Sequence, residues 1–187
     1  MSIRSTSASP SWCQTALTLV ELISTLATVC ILLAIGIPSA LTLSASSSTT
    51  TAVNSMALHL HLARSEAVKR GVPVVLCPST DGQSCLNSFE WQQGFILFVD
   101  DNRNRSPDGS ETVLRFQQPN RHRVRILTSV GRKRLIYQPS GMSPGSTATI
   151  TICDLTATVD PKALIVSNSG RPRLSTTRPD GSPLQCG

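Results

Sequence analysis

Two arginines near the C-terminus, Arg171 and Arg173, have the residue type and spacing best suited to binding a ligand. Alternate residues of an extended strand point to the same side and lie roughly 6.6 Å apart, so the two guanidinium groups would share one face. Pro172 between them cannot donate a ladder hydrogen bond, which favours an exposed sheet edge. Gly170 places a turn just before the pair. Guanidinium groups so arranged suit successive phosphates of a nucleic-acid backbone.

Two other groups of basic residues offer similar chemistry. One consists of the alternate residues Arg121, Arg123 and Arg125, which lead into a predicted strand, and the other crowds a turn and consists of Arg132, Lys133 and Arg134. An ordinary solvated basic surface is the alternative interpretation of each group. Aromatic residues do not interleave with these arginines, so binding would depend on phosphates, tolerate any base sequence and weaken with salt.

The charge of the chain is strongly asymmetric. The 187 residues carry a formal net charge of +6, but residues 1–114 hold six Lys and Arg against eight Asp and Glu. Residues 115–187 hold eleven Lys and Arg against three Asp and Glu. All of the excess positive charge therefore lies in the C-terminal part, which favours an anionic partner.

Residues for catalysis are scarce. The three histidines are His59, His61 and His122, and the sequence contains no nucleophile elbow, P-loop or HExxH motif. His59 and His61 are two apart on a predicted helix and so do not share a face. We expect a protein that is not an enzyme and that needs neither a cofactor nor a metal.

One loop resembles a calcium-binding loop in part. Asp100, Asn102, Asn104, Asp108 and Glu111 take the first, third, fifth, ninth and twelfth positions of an EF-hand pattern. The sixth position requires glycine for a sharp turn, and here it is arginine. Two arginines in the loop also offset the negative charge, so a solvated hairpin is the expected structure.

Four cysteines follow the apolar N-terminal region: Cys77, Cys85, Cys153 and Cys186. An even set in an exported domain indicates disulfides, and four cysteines allow three pairings. We favour Cys77–Cys85, which closes a short loop, and Cys153–Cys186, which ties down the C-terminal tail. The close CxxC pairs of a zinc site are absent from the sequence.

The most apolar segment, Leu17–Ile37, is 21 residues long. As a helix it would extend roughly 31 Å, about one membrane core. A cleaved signal peptide and a plain membrane anchor are two interpretations, but neither explains Glu21, since a carboxylate in such a helix costs roughly 2–3 kcal/mol. Cleavage between Ala16 and Leu17 would place a new α-amine one helical turn from Glu21. That ion pair would set the register between packed subunits.

The remaining chain predicts one further helical stretch and many short strands. Met56, Leu60, Ala63 and Ala67 repeat at helical spacing before a Gly-Val-Pro stop. Eight β-rich runs follow, at 72–77, 94–100, 112–116, 124–130, 134–138, 148–153, 163–167 and 171–175. Since no helices separate them, the strands should pair antiparallel. The expected fold class is α+β, with a long N-terminal helix, transmembrane in its first half and amphipathic in its second, packed on a small two-sheet β domain.

Residues 16–22, Ala-Leu-Thr-Leu-Val-Glu-Leu, resemble the prepilin cleavage and methylation motif of type IV pilins and type II secretion pseudopilins. The resemblance implies that a prepilin peptidase cuts before Leu17 and methylates it. It divides the chain into a leader (1–16), a transmembrane and assembly helix (17–38), an amphipathic helix (39–71) and an antiparallel β domain (72–187). The chain departs from the family pattern in having Ala16 where glycine is usual and Leu17 where phenylalanine is usual.

The downstream segments ARSEAVKRGVPVVLCPS, WQQGFILFVDDNRN and ITICD are similar to those of the pseudopilin H and FimT family. This resemblance implies a single-pass inner-membrane protein with a periplasmic or pilus-exposed domain and with other pilins or pseudopilins as partners. In FimT proteins a glycine-arginine-any-arginine motif is associated with binding double-stranded DNA during natural transformation. Residues 170–173 match it. The alternative implied function is a structural type II secretion pseudopilin without a DNA role, and a periplasmic enzyme freed by signal cleavage is a third, less supported class.

Overall fold

The computed structural model describes residues 18–119 and 124–186. The leader with Ala16, the adjacent Leu17, and Arg121 and Arg123 lie outside the described residues. The chain divides at residue 40 into two compact units. The helix of the first unit and the α/β body of the second are taken separately below.

Helix α1 (Leu19–Arg70) is bounded by recognisable caps. At its start, the backbone N–H of Glu21 donates to the Thr18 hydroxyl at 3.3 Å, which is half of a capping box. At its end, the Gly71 N–H donates to the Ala67 carbonyl at 3.0 Å with Gly71 at φ +72°, the left-handed cap that glycine favours. Glu21 therefore occupies a favourable place for a carboxylate, in the first helical turn.

The first unit contains the apolar part of α1. Its large apolar side chains are exposed, for example Leu19, Ile23, Leu32 and Ile35. By length and composition this helix can cross a membrane. The finding is consistent with a single-pass membrane anchor.

Among the described residues of the second unit there are eight strands. They are β1 (Val74–Pro78), β2 (Phe95–Val99), β3 (Val113–Gln117), β4 (Val124–Thr128), β5 (Leu135–Tyr137), β6 (Ala148–Asp154), β7 (Lys162–Val166) and β8 (Pro172–Ser175). Sheet A has the order β3-β2-β1-β5 and sheet B has the order β4-β6-β7-β8, with every pairing antiparallel. The predicted α+β class is confirmed.

The core lies where helix and sheets meet. The four apolar residues of α1 that repeat at helical spacing are buried: Met56, Leu60, Ala63 and Ala67. They pack in one cluster with the inward residues of both sheets. In sheet B those residues alternate: Val124, Ile126, Ile150, Ile152, Leu164 and Val166. Because the alternation is strict, the residues between them form an outer face.

Two disulfides fasten loops to the sheets. Cys77 pairs with Cys85, and Cys153 pairs with Cys186. These are the two pairs that the sequence favoured. The first holds the loop after β1 against the outer side of sheet A, where Cys77 packs with Ile96 and Phe98. The second brings the C-terminal tail to β6.

The two edges of sheet B differ. Along β4, the Trp91 N–H donates to the Ile126 carbonyl and the Thr128 N–H donates to the Phe89 carbonyl, so residues 89–91 cover this edge. At the opposite edge, β8 pairs with β7 and has no second neighbouring strand among residues 18–119 and 124–186. The position of Pro172 in this edge strand agrees with its lack of a backbone donor.

Candidate nucleic-acid interface

The arginine pair lies at the β8 edge of sheet B. Arg173 is opposite Ile165 in the register, on the outer face of the sheet, because the neighbouring position pairs Leu174 with the core residue Leu164. Arg171 comes two residues earlier, immediately before β8. Both arginines are exposed, and within residues 18–119 and 124–186 neither side chain forms a hydrogen bond or an ion pair. Their guanidinium groups therefore carry positive charge that no described acid compensates.

Gly170 is the structural reason for the turn before the pair. Its φ is +73°, and its N–H donates to the Ser167 carbonyl at 2.9 Å. A β-carbon at this position would lie 2.3 Å from the carbonyl oxygen of Gly141 and 3.1 Å from Cε1 of Tyr137. Glycine is thus required at this position for two reasons, the left-handed backbone conformation and the lack of space for a side chain.

Arg125 has protein partners. Its side chain lies on the outer face of β4 and donates to Oε1 of Glu90 at 2.6 Å. It also donates to the carbonyl of Cys186 at 3.3 Å. The hydrogen bond from Arg125 holds the pKa of Glu90 below its ordinary value. Arg125 therefore joins three segments of the protein, and much of its charge is offset by Glu90.

The three basic residues of the turn after β4 also make contacts within the protein. Arg132 donates to the Gly145 carbonyl at 2.6 Å, and Arg134 donates to the Ser106 hydroxyl at 3.4 Å. The ammonium group of Lys133 lies 5.1 Å from the centre of the Phe89 ring, within range of a cation–π contact. All three are partly buried. They contribute to the basic field, and each also contacts a neighbouring segment of the protein.

The structure therefore separates the nine predicted DNA-binding residues into groups. Arg171 and Arg173 form one exposed pair after the buried Gly170, whereas Arg125, Arg132, Lys133 and Arg134 are engaged with neighbouring segments. Arg121 and Arg123 lie outside the described residues. Sequence reasoning did not single out Arg64, whose Nε would lie 3.2 Å from a β-carbon on Gly141. No sequence signal reveals this residue, because it is connected to the Gly170 turn only through the Gly141 turn, which is distant from both in sequence.

The loop between β2 and β3 uses its own polar groups. Asn102 donates to Asp108, and the backbone N–H of Arg105 donates to Asp100 at 3.2 Å. The N–H groups of Asn104 and Ser110 donate to Asn102 and Asp108. Within the described part of the chain, no three His, Cys, Asp or Glu side chains cluster in a way that could hold a metal ion. The loop accordingly has the character of a hydrogen-bonded hairpin.

Comparison with known proteins identifies relatives. The sequence profile of the family described as "Type II transport protein GspH" matches residues 52–170. The "Pilin-like protein PilA1" of Thermus thermophilus is 33% identical over 128 residues, which are 66% of this chain and 75% of that protein. The crystal structure of the type IV minor pilin FimU of Pseudomonas aeruginosa PAO1 aligns with a TM-score of 0.50 at 21% identity, covering 71% of this chain and 85% of that one. The likeness to FimU shows a common fold.

Proposed function

The chain belongs to the GspH/FimT family of minor pilins and pseudopilins, and from that premise we propose that it is a minor type IV pilin of the FimT type that binds double-stranded DNA. The observation that carries the proposal is the exposure of Arg171 and Arg173, with no partner among the described residues, on one sheet edge. The family match ends at residue 170. Support for DNA binding therefore comes from the geometry and charge of the arginine pair.

Phosphate is the group that this surface is suited to bind. The two guanidinium groups follow a rigid glycine turn, and residues 115–187 carry most of the positive charge of the chain. The turn fixes the backbone from which both side chains extend, so less backbone freedom is lost on binding. Contacts to phosphates position a protein on the duplex without reading its sequence. The expected binding is sequence-tolerant, and a Kd of roughly 10⁻⁶ to 10⁻⁴ M is the range of such complexes at physiological salt.

Pilus assembly forms the second part of the proposal. Prepilin peptidase would cut between Ala16 and Leu17, and the new α-amine would pair with Glu21 of a neighbouring pilin in the inner membrane. Glu21 is exposed in the first turn of α1, where it is available to such a partner. Intact mass spectrometry of the membrane-extracted protein should show a chain that begins at Leu17 with an added methyl group. A chain that retains Met1, or one trimmed beyond residue 38, would contradict this part.

A type II secretion pseudopilin without DNA binding is the alternative. The family description favours it, because the matching profile is named for a type II transport protein. The exposed arginine pair favours the pilin, because its two guanidinium groups lie two residues apart at one sheet edge, a spacing suited to phosphates. DNA binding by the purified protein discriminates between them.

The experiment is a mobility-shift assay with the full chain in detergent micelles and duplex DNA over a series of salt concentrations. The variant Arg171→Gln/Arg173→Gln should lose most of the affinity, and the slope of log K against log salt should fall by about 2, since each phosphate contact contributes about 0.9. The control Arg103→Gln/Arg105→Gln removes the same charge from exposed arginines of another loop and should bind nearly as the wild type does. Equal weakening by both variants, or no binding by the wild type at low salt, would overturn the proposal.

A further inference from the structure

Arg64 of helix α1 is close to the turn that presents the arginine pair. Its Nε would lie 3.2 Å from a β-carbon on Gly141, and Cγ2 of Val68, one helical turn later, would lie 3.1 Å from the same point. The carbonyl of Gly141 in turn contacts Gly170, where a β-carbon would be only 2.3 Å from its oxygen. The helix, the Gly141 turn and the Gly170 turn are therefore stacked in direct contact.

These contacts limit how far Arg64 is from Arg171. With standard bond lengths, the Nε atom of Arg64 lies within about 11 Å of the α-carbon of Gly170, and the α-carbon of Arg171 is about 3.8 Å further along the chain. Both arginine side chains are long and flexible. Their guanidinium groups can consequently reach the same strand of a bound nucleic acid.

Hydrogen bonds make the junction rigid. The Ser143 N–H donates to the Asn168 carbonyl at 2.9 Å, which links the two turns directly. The Ser143 hydroxyl donates to the Ile136 carbonyl at 2.7 Å, which links them to β5. The buried ring of Tyr137 lies below Gly170. Arg64 and Arg171 are therefore held on one framework, although 107 residues separate them in sequence.

The charge of Arg64 is uncompensated among the described residues. The nearby acid on the same helix is Glu66, which pairs instead with Arg70 at 2.6 Å. Arg64 is partly buried, with its stem packed on Gly141. Its positive charge acts on the Tyr137 hydroxyl, where it opposes the increase in pKa that burial causes. No described carboxylate or carbonyl accepts a hydrogen bond from the Arg64 side chain, so its guanidinium donors are available to a ligand.

We propose that Arg64 is a third phosphate-binding residue, which extends the DNA site from the β8 edge across the Gly141 turn to helix α1. The inference rests on the proposed DNA binding of the Arg171 and Arg173 pair. It enlarges the site from the arginine pair at one sheet edge to a surface that continues over the Gly141 turn to a cation of helix α1. The site then includes a residue of the helix as well as the C-terminal motif.

The test compares Arg64→Gln with Arg70→Gln in the full chain in detergent. Both variants remove one positive charge from the same helix, but Arg70 is already paired with Glu66. Arg64→Gln should weaken duplex binding up to about tenfold near 0.1 M salt and lower the salt slope by about 0.9, whereas Arg70→Gln should leave the slope unchanged. Arg64→Lys should restore part of the affinity, because it retains a point charge without the guanidinium fork.

The thermal midpoint of each variant separates binding from folding. If Arg64→Gln destabilises the fold, Arg64→Met keeps the aliphatic stem on Gly141 and serves for the same comparison. Equal binding by the Arg64 and Arg70 variants, or an unchanged salt slope in the Arg64 variant, would overturn the inference while the arginine pair still bound DNA. Absence of binding by the wild type would instead overturn the proposed function itself.

Discussion

Gly170 and Gly141 contact each other without side chains between them: a β-carbon on Gly170 would lie 2.3 Å from the carbonyl oxygen of Gly141. Both residues have a φ of +73°. Since backbone atoms cannot move away as a flexible side chain does, this contact fixes how the turn before Arg171 meets the turn after β5. The glycine of the Gly-Arg-Pro-Arg segment is thus a packing requirement of the fold, and the arginines are the part that remains available for binding.

The first prediction concerns this contact. Gly170→Ala should lower the free energy of unfolding by more than Gly145→Ala, measured by urea unfolding of the full chain in detergent. Gly145 has φ +68° but nothing within 4 Å of a β-carbon, so its substitution costs the left-handed backbone alone, about 1–2 kcal/mol. At Gly170 the steric overlap should add about 1–3 kcal/mol. Equal losses in the two variants would show that the turns separate easily.

A second prediction tests the packing of α1. Leu60 is fully buried in the core, whereas Leu58, two residues earlier, is 66% exposed. Leu60→Ala should destabilise the protein by about 2–5 kcal/mol through lost burial and a residual cavity. Leu58→Ala should change the free energy of unfolding by less than about 0.5 kcal/mol. A large effect of the Leu58 substitution in the monomer would contradict the orientation of the helix.

The third prediction concerns the disulfide that holds the C-terminal tail. Replacing Cys153 and Cys186 by alanine removes a disulfide between residues 33 apart in sequence. The free energy of unfolding should fall by about 3–4 kcal/mol, because the unfolded chain is no longer constrained by the cross-link. Limited digestion with an endoproteinase that cuts before aspartate should then cleave at the exposed Asp180 faster than in the wild type, because the tail is released. Cys30→Ala, which removes a cysteine outside any disulfide, is the control and should change neither measurement. An unchanged rate of cleavage would indicate that the tail is held by its other contacts.

A fourth prediction follows from the ion pair of Glu90 with Arg125. Its hydrogen bond lowers the pKa of Glu90 in the folded protein, so the stabilisation is complete above the ordinary pKa of about 4.3 and is lost as the pH falls through the lowered value. Arg125→Gln should therefore unfold at lower urea concentration than the wild type at pH 7, and the difference should shrink as the solution is acidified below about pH 4. Arg171→Gln, which breaks no described ion pair, should show no such pH-dependent difference. A gap that stays constant down to about pH 2 would assign the effect of Arg125 to its packing and its bond to Cys186.

Much of the secondary structure was predictable because it depends on local patterns. The stripe from Met56 to Ala67 repeats every three to four residues, and Gly71 ends the helix where a left-handed cap is needed. The eight predicted strands correspond to the eight observed ones, with ends that differ by a few residues. Turn residues and apolar runs act over a few positions, so one sequence contains their signal.

These local patterns did not predict the order of the strands in the two sheets. Sheet A places β5 next to β1, and sheet B places β4 next to β6. Such pairings depend on which apolar faces cover one another after the chain has folded back. Many orders satisfy the same alternation of residues, and only the packed core selects one.

The sequence by itself determined the types of group present: an apolar helix with one acid, a basic C-terminal part and a glycine before two arginines. Tertiary structure alone decided which cations are available. The charge of Arg125 is offset by Glu90, and the ammonium group of Lys133 lies over the Phe89 ring. Arg64 lies on helix α1 beside the Gly141 turn, which contacts the Gly170 turn. The physical reason is that a charged side chain is free to bind a ligand only where the folded chain places no partner beside it. The partner of Arg125 is 35 residues away in sequence and that of Lys133 is further still, beyond the range of any local pattern.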